Sequence, residues 1–133
     1  TVLVEGDDIN EPISDHARSI LDGHIVLSRE ISHKNHFPAI DVLGSISRVM
    51  RDVSQKDHVV LRDKAVSVIS AYRGAEDMIS IGAYIDGSDP DVDEAKRLMP
   101  GITKFLRQDM HRKIDMNASV EGLQTALQVV NKK

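Results

Sequence analysis

Two short, fully apolar runs constrain the fold of the first part of the chain most strongly. They are residues 1–4 (TVLV) and residues 25–27 (IVL). An uninterrupted apolar run is typical of a strand that is covered on both faces, as in a parallel sheet. Two such strands cannot form a stable sheet alone in water, because their faces and edges need neighbours. We therefore predict that residues 1–55 are the tail end of a larger α/β domain.

A short helix is predicted between these two runs. Ser14 is expected to be its N-cap, Ala17, Ile20 and Leu21 are expected to point inward, and Gly23 is expected to end it. The order of strand, helix and strand predicts a parallel crossover unit.

The pattern becomes helical after residue 55. Apolar residues recur at helical spacing over residues 56–84, where Gly74 is a possible division, and residues 82–90 are predicted to form a turn. Asp89 is expected to cap the next helix with Pro90 at its first position. Pro100 should kink or split that helix, and a last helix is expected over residues 119–130. Residues 56–133 are predicted to be an all-α bundle, so the chain is mostly helical.

The apolar faces of these helices are predicted from the same spacing. The residues expected to point inward are Leu61, Ala65, Val68, Ile69 and Tyr72, then Val92, Ala95, Leu98, Met99, Ile102, Phe105 and Leu106, and finally Val120, Leu123, Leu127 and Val130.

The composition excludes several classes of protein. A net charge of −4 and a pI of about 5.8 argue against a dedicated nucleic-acid binder. The chain has no cysteine, which excludes disulfides and permits a cytoplasmic location. No apolar run approaches the ~20 residues of a membrane span. His33 and His36 lack further ligands nearby, so no metal site is expected.

Residues 36–50 are the stretch best suited to binding chemistry. Phe37 precedes Pro38 and should be extended, leaving its ring to project from a loop. Arg48 lies among glycine and serine residues, where its guanidinium could contact a phosphate. From composition alone, a packed loop aromatic and a structural ion-pair partner remain the commoner alternatives. No G-x-x-x-x-G-K-[ST] motif is present.

Several segments together resemble the rotary-type ATPases of bacterial type III protein export, which are relatives of the F-type ATP synthase subunits. The motifs are VEGDD at 4–8, ILDGHIVLSR at 20–29, and PAIDVL with SRVM at 38–50. Residues 82–90 and FLRQ at 105–108 are more similar to the flagellar branch than to the injectisome branch. The resemblance implies that residues 1–55 end a RecA-like P-loop ATPase domain and that residues 56–133 are its C-terminal helical domain.

The resemblance also implies roles for individual residues. Phe37 matches the aromatic residue that stacks on the adenine of ATP in the same subunit. Arg48 matches the arginine finger that reaches into the neighbouring subunit's site. Met110 and Met116 align with two further aromatic residues of the adenine pocket. ATP and Mg²⁺ are the implied cofactors of the full-length enzyme, whose phosphate-binding loop lies upstream, so this segment alone should bind no nucleotide tightly and should not hydrolyse ATP.

The implied assembly is a homohexamer around a central coiled-coil stalk protein. The stalk contact is expected on an acidic turn that comprises Asp86, Asp89, Asp91, Asp93 and Glu94. The export gate, a regulator and chaperone–cargo complexes are further implied partners, with a cytoplasmic location peripheral to the inner face of the membrane and no nucleic acid.

Two alternatives remain open from the sequence. The injectisome homologue shares this chemistry but serves another export system. A non-enzymatic helical module that docks a coiled-coil partner would explain the second half but not the stretch around Phe37 and Arg48.

Overall fold

The computed structural model describes residues 1–4, 6, 8 and 10–128. The chain divides into two compact units, Thr1–Val53 and Ser54–Lys133, which are called unit 1 and unit 2 below. In the described part of the chain, no helix is long and apolar enough to cross a membrane.

Unit 1 is built around a two-stranded antiparallel ribbon. In the ribbon, Gly23 lies opposite Ser47 and Leu27 lies opposite Ile40. The elements of unit 1, in chain order, are α1 (Pro12–Ile20), β1 (Gly23–Leu27), α2 (Arg29–His33), β2 (Ile40–Ser47) and α3 (Met50–Val53).

The prediction of a parallel crossover is wrong for the described residues. Residues 25–27 do form a strand, within β1, but residues 1–4 form none. The partner of β1 is instead β2, a strand that was not predicted from the sequence. The direction in which a strand pairs depends on the strand that lies beside it. Here the chain returns through α2 and places β2 antiparallel beside β1.

The start of α1 also differs from its prediction. The helix begins at Pro12 with Glu11 at the N-cap, and Ser14 is a buried residue within the first turn. Proline has its helical φ already set, which favours it at the first helical position. Ile20 and Leu21 are exposed rather than turned inward.

Gly23 begins β1 rather than ending α1, because the two strands approach each other closely at this residue. A Cβ atom at this position would lie 2.6 Å from the Ile46 carbonyl oxygen.

Gly44 and Ser45 form a bulge in β2 and are not a flexible loop. The register shifts between His24 and Val26 on β1, so that residues 42–45 of β2 bulge out of the ladder. The Ser45 hydroxyl accepts a hydrogen bond from the Val26 N–H at 3.0 Å and donates one to the Asp41 carbonyl at 2.6 Å. The hydroxyl thus replaces a backbone partner that the bulge removes from the ladder.

Unit 2 is a three-helix bundle with a closed apolar core. Its helices are α4 (Lys56–Ser80), α5 (Pro90–Leu106) and α6 (Met116–Leu127). The helical periodicity predicted most of the core correctly. The buried apolar residues of the described chain all lie in this unit, and they are Ala65, Val68, Ile69, Ala75, Val92, Ala95, Leu98 and Ile102.

Three predicted features of unit 2 need correction. Helix α4 runs through Gly74, and α5 runs through Pro100 without being split. The packing of buried residues on both sides of these positions outweighs their weak helix propensity. Helix α6 begins at Met116, earlier than predicted, because the Asp115 carboxylate caps it by accepting from the Ala118 N–H at 2.8 Å. Val130 lies outside the described residues.

Candidate functional site

Phe37 lies in the connection between α2 and β2. Its side chain is 53% exposed, so the ring is available on the surface of unit 1. The connection is held by hydrogen bonds from the Asn35 N–H to the Ser32 carbonyl and from the Ser28 N–H to the Ala39 carbonyl, at 2.9 and 2.8 Å. A short, hydrogen-bonded connection therefore presents an exposed aromatic ring, as the sequence predicted.

Arg48 follows directly after β2 and is exposed. Its backbone N–H donates to the Asp22 carbonyl at 2.8 Å, which extends the hydrogen bonding of the ribbon by one residue. Among the residues that the structure describes, no ion-pair partner is found for its guanidinium. The backbone of this residue is therefore fixed, while its charge remains available for an external anion. The described residues therefore do not support the alternative in which Arg48 is a structural ion-pair partner.

Phe37 and Arg48 lie at opposite ends of the same strand. The strand has eight residues, but its ends lie opposite Leu27 and Gly23 of β1, which are four residue steps or roughly 13 Å apart at about 3.3 Å per residue. The structure therefore does not bring the two predicted site residues together. Within one chain, they are too far apart to meet on adjacent atoms of one small ligand.

The predicted acidic residues lie in the turn between α4 and α5 and at the start of α5, but most of them have partners within the unit. The Asp89 carboxylate caps α5 by accepting from the N–H groups of Asp91 and Val92, at 2.9 and 3.3 Å. Asp93 accepts from the Gly87 N–H at 2.8 Å and lies 3.0 Å from the Tyr84 hydroxyl. Asp86 and Glu94 are engaged in ion pairs, so four of the five predicted partner-binding residues have internal roles.

Two lysines complete this network. Asp86 is paired with Lys96, and Glu94 is paired with Lys64. Lys96 lies 5.3 Å from the centre of the Tyr84 ring. The hydrogen bond that Lys96 donates to the Asp86 carboxylate is the main cause that raises the pKa of Lys96 above its ordinary value of 10.5, although partial desolvation opposes it. An ion pair and a hydrogen bond thus hold the turn against α5, and no local motif in the sequence indicates the roles of Tyr84 and Lys96.

Met110 and Met116 are both surface residues of unit 2. Met110 is 89% exposed and lies in the turn after α5, whereas Met116 is 68% exposed and begins α6. A groove of about 470 Å³ runs between α5 and α6 nearby, but neither methionine is among the residues that line it. Their side chains are therefore available to an external ring surface without forming a pocket in this unit.

Comparison with known proteins matches both halves of the chain to one kind of enzyme. Residues 54–125 match the family model described as the T3SS EscN ATPase C-terminal domain. Residues 1–47 match the nucleotide-binding domain of the ATP synthase alpha/beta family. The first match alone covers more than half of the chain. The chain belongs to the type III secretion ATPase family.

Curated relatives in this family come from both export systems. The flagellum-specific ATP synthase of Bacillus subtilis (strain 168) is 47% identical over 123 residues, which cover 92% of this chain and 28% of the relative. The type 3 secretion system ATPase of Pseudomonas syringae pv. tomato is 42% identical over 123 residues, with 92% and 27% covered. The chain therefore spans little more than a quarter of the length of these type III secretion ATPases.

Solved structures of the family share the fold. The assembled ATPase EscN from the type III secretion system of enteropathogenic E. coli matches with a TM-score of 0.91 and 41% identity, over 96% of this chain and 31% of that chain. EscN in complex with its central stalk EscO matches with a TM-score of 0.82 and 39% identity, over 88% and 29%. The chain is thus the tail of a nucleotide-binding domain followed by the C-terminal domain of such an ATPase.

Proposed function

We propose that this chain is part of an ATPase that energises flagellar type III protein export, and that β2 serves two different ATP sites in a homohexamer. The observation that carries the proposal is the placement of Phe37 and Arg48 at opposite ends of one strand. An exposed ring suits the adenine of a nucleotide, and an exposed guanidinium with no ion-pair partner among the described residues suits its phosphates. The resemblance to rotary-type ATPases supports assignment of the ring to the nucleotide of its own subunit and of the cation to the nucleotide of the neighbouring subunit.

Phe37 would stack on the adenine of ATP bound to the same subunit. An aromatic face in contact with a purine contributes about 1 to 3 kcal/mol of binding free energy. Because the ring is presented from a short hydrogen-bonded connection, little conformational entropy is lost when the base stacks on it. The exposed thioether side chains of Met110 and Met116 would offer apolar surface to a purine, in place of the aromatic residues of other family members.

Arg48 would act on the terminal phosphate of ATP held by the neighbouring subunit. Phosphoryl transfer is catalysed mainly by positioning and by stabilisation of charge on the phosphate oxygens. A guanidinium suits this role because it stays charged and can donate to two oxygens at once. The hydrogen bond from the Arg48 N–H to the Asp22 carbonyl fixes the backbone from which the side chain extends.

The phosphates and Mg²⁺ would be held by residues outside this segment, since the sequence contains no glycine–lysine phosphate loop. The segment alone should therefore not hydrolyse ATP. Isothermal titration calorimetry of the isolated chain with Mg-ATP should show no binding at micromolar concentrations. Tight binding there would contradict the proposed division of the site.

The solved assembly of EscN and its complex with the central stalk EscO support a similar assembly of the full-length protein. Residues 1–55 would complete a RecA-like ATPase domain, and residues 56–133 would form the C-terminal helical domain of each subunit. The turn between α4 and α5 would contact a central coiled-coil stalk. The export gate, a regulator and chaperone–cargo complexes would be further partners of the full-length ATPase, at the cytoplasmic face of the membrane and without nucleic acid.

The proposal is tested by steady-state kinetics of the full-length protein. Arg48→Ala should lower kcat by roughly 10³ to 10⁵, or about 4 to 7 kcal/mol of barrier, with KM for ATP nearly unchanged. Phe37→Ala should instead raise KM by roughly tenfold and lower kcat little. Arg51→Ala, which removes a nearby exposed arginine of α3, is the control and should stay close to wild type. Unchanged turnover in Arg48→Ala would end the assignment.

A second candidate is the ATPase of an injectisome. The 42% identity to the type 3 secretion system ATPase and the fold shared with EscN favour it almost as strongly. The chemistry at both ends of β2 would be the same, and complementation of a flagellar export-ATPase deletion, scored by motility, separates the two systems.

A further inference from the structure

The carboxylates at the turn of unit 2 are mostly engaged within the unit. Asp89 caps α5, Asp93 binds the Gly87 N–H, and Asp86 is paired with Lys96. Glu94 is paired with Lys64 and lies 3.9 Å from Arg97. A partner that used these four carboxylates would have to break an existing cap, hydrogen bond or ion pair. Their contribution to binding would be reduced by that loss.

The same turn exposes three large apolar side chains. Met78, near the end of α4, is 49% exposed, Ile81 at the helix C-cap is 77% exposed, and Ile85 in the turn is 74% exposed. Met78 and Ile81 are three residues apart, which places them on one face of the helix end. The Met78 carbonyl accepts from the N–H groups of Ala83 and Tyr84, at 2.8 and 3.1 Å, which brings the backbone next to Ile85 close to the same helix turn.

The backbone of this apolar patch is held in place. The Tyr84 hydroxyl lies 3.0 Å from the Asp89 carbonyl, and the Ser88 hydroxyl donates to the Ile85 carbonyl at 2.7 Å. A rigid loop loses little conformational entropy when its side chains enter an interface. The engaged carboxylates thus build the turn that presents Met78, Ile81 and Ile85.

We propose that the contact of this turn with the central stalk is made by the apolar patch Met78, Ile81 and Ile85, and that the acidic residues mainly hold the turn in shape. This inference rests on the stalk contact proposed above and names the residues and the chemistry that carry it. The occupant is an amphipathic helix of the stalk whose apolar stripe covers the patch.

Exposed charge on the two helix ends that flank the turn specifies the partner further. Asp77 and Asp91 are exposed, and neither carboxylate has an ion-pair partner among the described residues. Polar rims around an apolar centre are usual in interfaces, and complementary charge at the rim affects the association rate and its salt dependence. The stalk helix should therefore carry lysine or arginine beside its apolar stripe.

The test compares three variants of the full-length ATPase for affinity to its central stalk protein, measured by biolayer interferometry. Ile81→Ser with Ile85→Ser removes the two most exposed side chains of the apolar patch, and Asp77→Asn with Asp91→Asn removes the two carboxylates that have no ion-pair partner among the described residues. Val60→Ser is the matched control, since Val60 is also an exposed apolar residue of α4, about 27 Å along the helix from Met78. Because every altered side chain is exposed, melting temperatures should stay close to wild type.

The proposal predicts at least a tenfold loss of affinity for the isoleucine pair, at most a threefold loss for the aspartate pair, and no change for Val60→Ser. A larger loss for the aspartate pair than for the isoleucine pair would overturn the inference and leave the stalk contact itself in place. Unchanged affinity in both pairs, or no binding by the wild type, would overturn the stalk contact at this turn as well.

Discussion

The two units of this chain differ in how they use their apolar residues. Unit 2 encloses every buried apolar residue of the described chain, whereas Ser14 is the only buried residue among those described in unit 1. The elements of unit 1 instead expose a series of apolar side chains, namely Ile13, Ile20, Leu21, Ile25, Leu27, Ile46, Val49 and Val53. The comparison teaches that unit 2 is stabilised by its own apolar core, whereas the described residues of unit 1 leave most of their large apolar side chains exposed.

The largest expected difference between the units is in the free energy of unfolding when one isoleucine side chain of each unit is truncated in a separate variant. Ile102 is 1% exposed in the core of unit 2, and Ile25 in β1 is 72% exposed. Ile102→Ala should lower the free energy of unfolding by about 3 kcal/mol, because it deletes buried methyl groups and leaves a cavity. Ile25→Ala should change it by less than about 0.5 kcal/mol.

Urea unfolding of this chain, followed by circular dichroism at a helical wavelength, measures both changes. An equal loss in the two variants would show that the ribbon of unit 1 closes on itself in solution, and the contrast between the units would be lost.

The next effect tests what keeps the core of unit 2 closed. A Cβ at Gly101 would lie 2.8 Å from the Ala126 carbonyl oxygen of α6, whereas a Cβ at Gly74 would meet nothing within 4 Å. Gly101→Ala should therefore destabilise unit 2 by about 1 to 3 kcal/mol, since α6 must move away from α5.

Gly74→Ala is the matched control in the middle of α4. It should stabilise the protein by about 0.5 to 1 kcal/mol, because alanine loses less backbone entropy in a helix. Melting curves that shift in the same direction for both variants would be inconsistent with close packing of α5 on α6.

The smallest effect concerns pH and the turn of unit 2. Because the pKa of Lys96 is raised above 10.5 in the folded protein, chiefly by its hydrogen bond to Asp86, the pair stabilises unit 2 fully at pH values below 10.5. This contribution is lost as the pH rises through the pKa of the folded state. An NMR titration should show Lys96 losing its proton above 10.5 and Asp86→Asn returning the pKa of Lys96 towards that value. If Lys96 had the same pKa in the Asp86→Asn variant, its pairing with Asp86 would not be the cause of the raised pKa.

The sequence predicted unit 2 much better than unit 1, for a physical reason. Helices α4 and α5 depend on local spacing, and the N-cap at Asp89 followed by Pro90 is a local signal. Strand β2 depends on a partner that is distant in sequence. Its bulge at Gly44 and Ser45 also breaks the two-residue alternation by which a strand is recognised, so its residues resembled a polar loop.

The candidate site shows the same division. Phe37 and Arg48 were identified correctly as exposed residues, since the surroundings of each are local. Their separation along β2 could not be predicted, because it required knowledge that the residues between them form a strand. The ion pairs of Lys64 and Lys96 at the acidic turn join residues that are 30 and 10 positions apart. A short sequence motif therefore could not predict them.

The most direct test of the central claim is activity in mixed rings of the full-length protein. One subunit type carries Arg48→Ala with an intact phosphate loop, and the other carries Arg48 with the upstream phosphate-loop lysine replaced by alanine. Each type alone should be inactive. In an equal mixture, about one site in four should combine an intact loop with a neighbour's Arg48, so ATP hydrolysis should reappear. Rings that contain both types, shown by two affinity tags, yet remain inactive would contradict the assignment of the two ends of β2 to two sites.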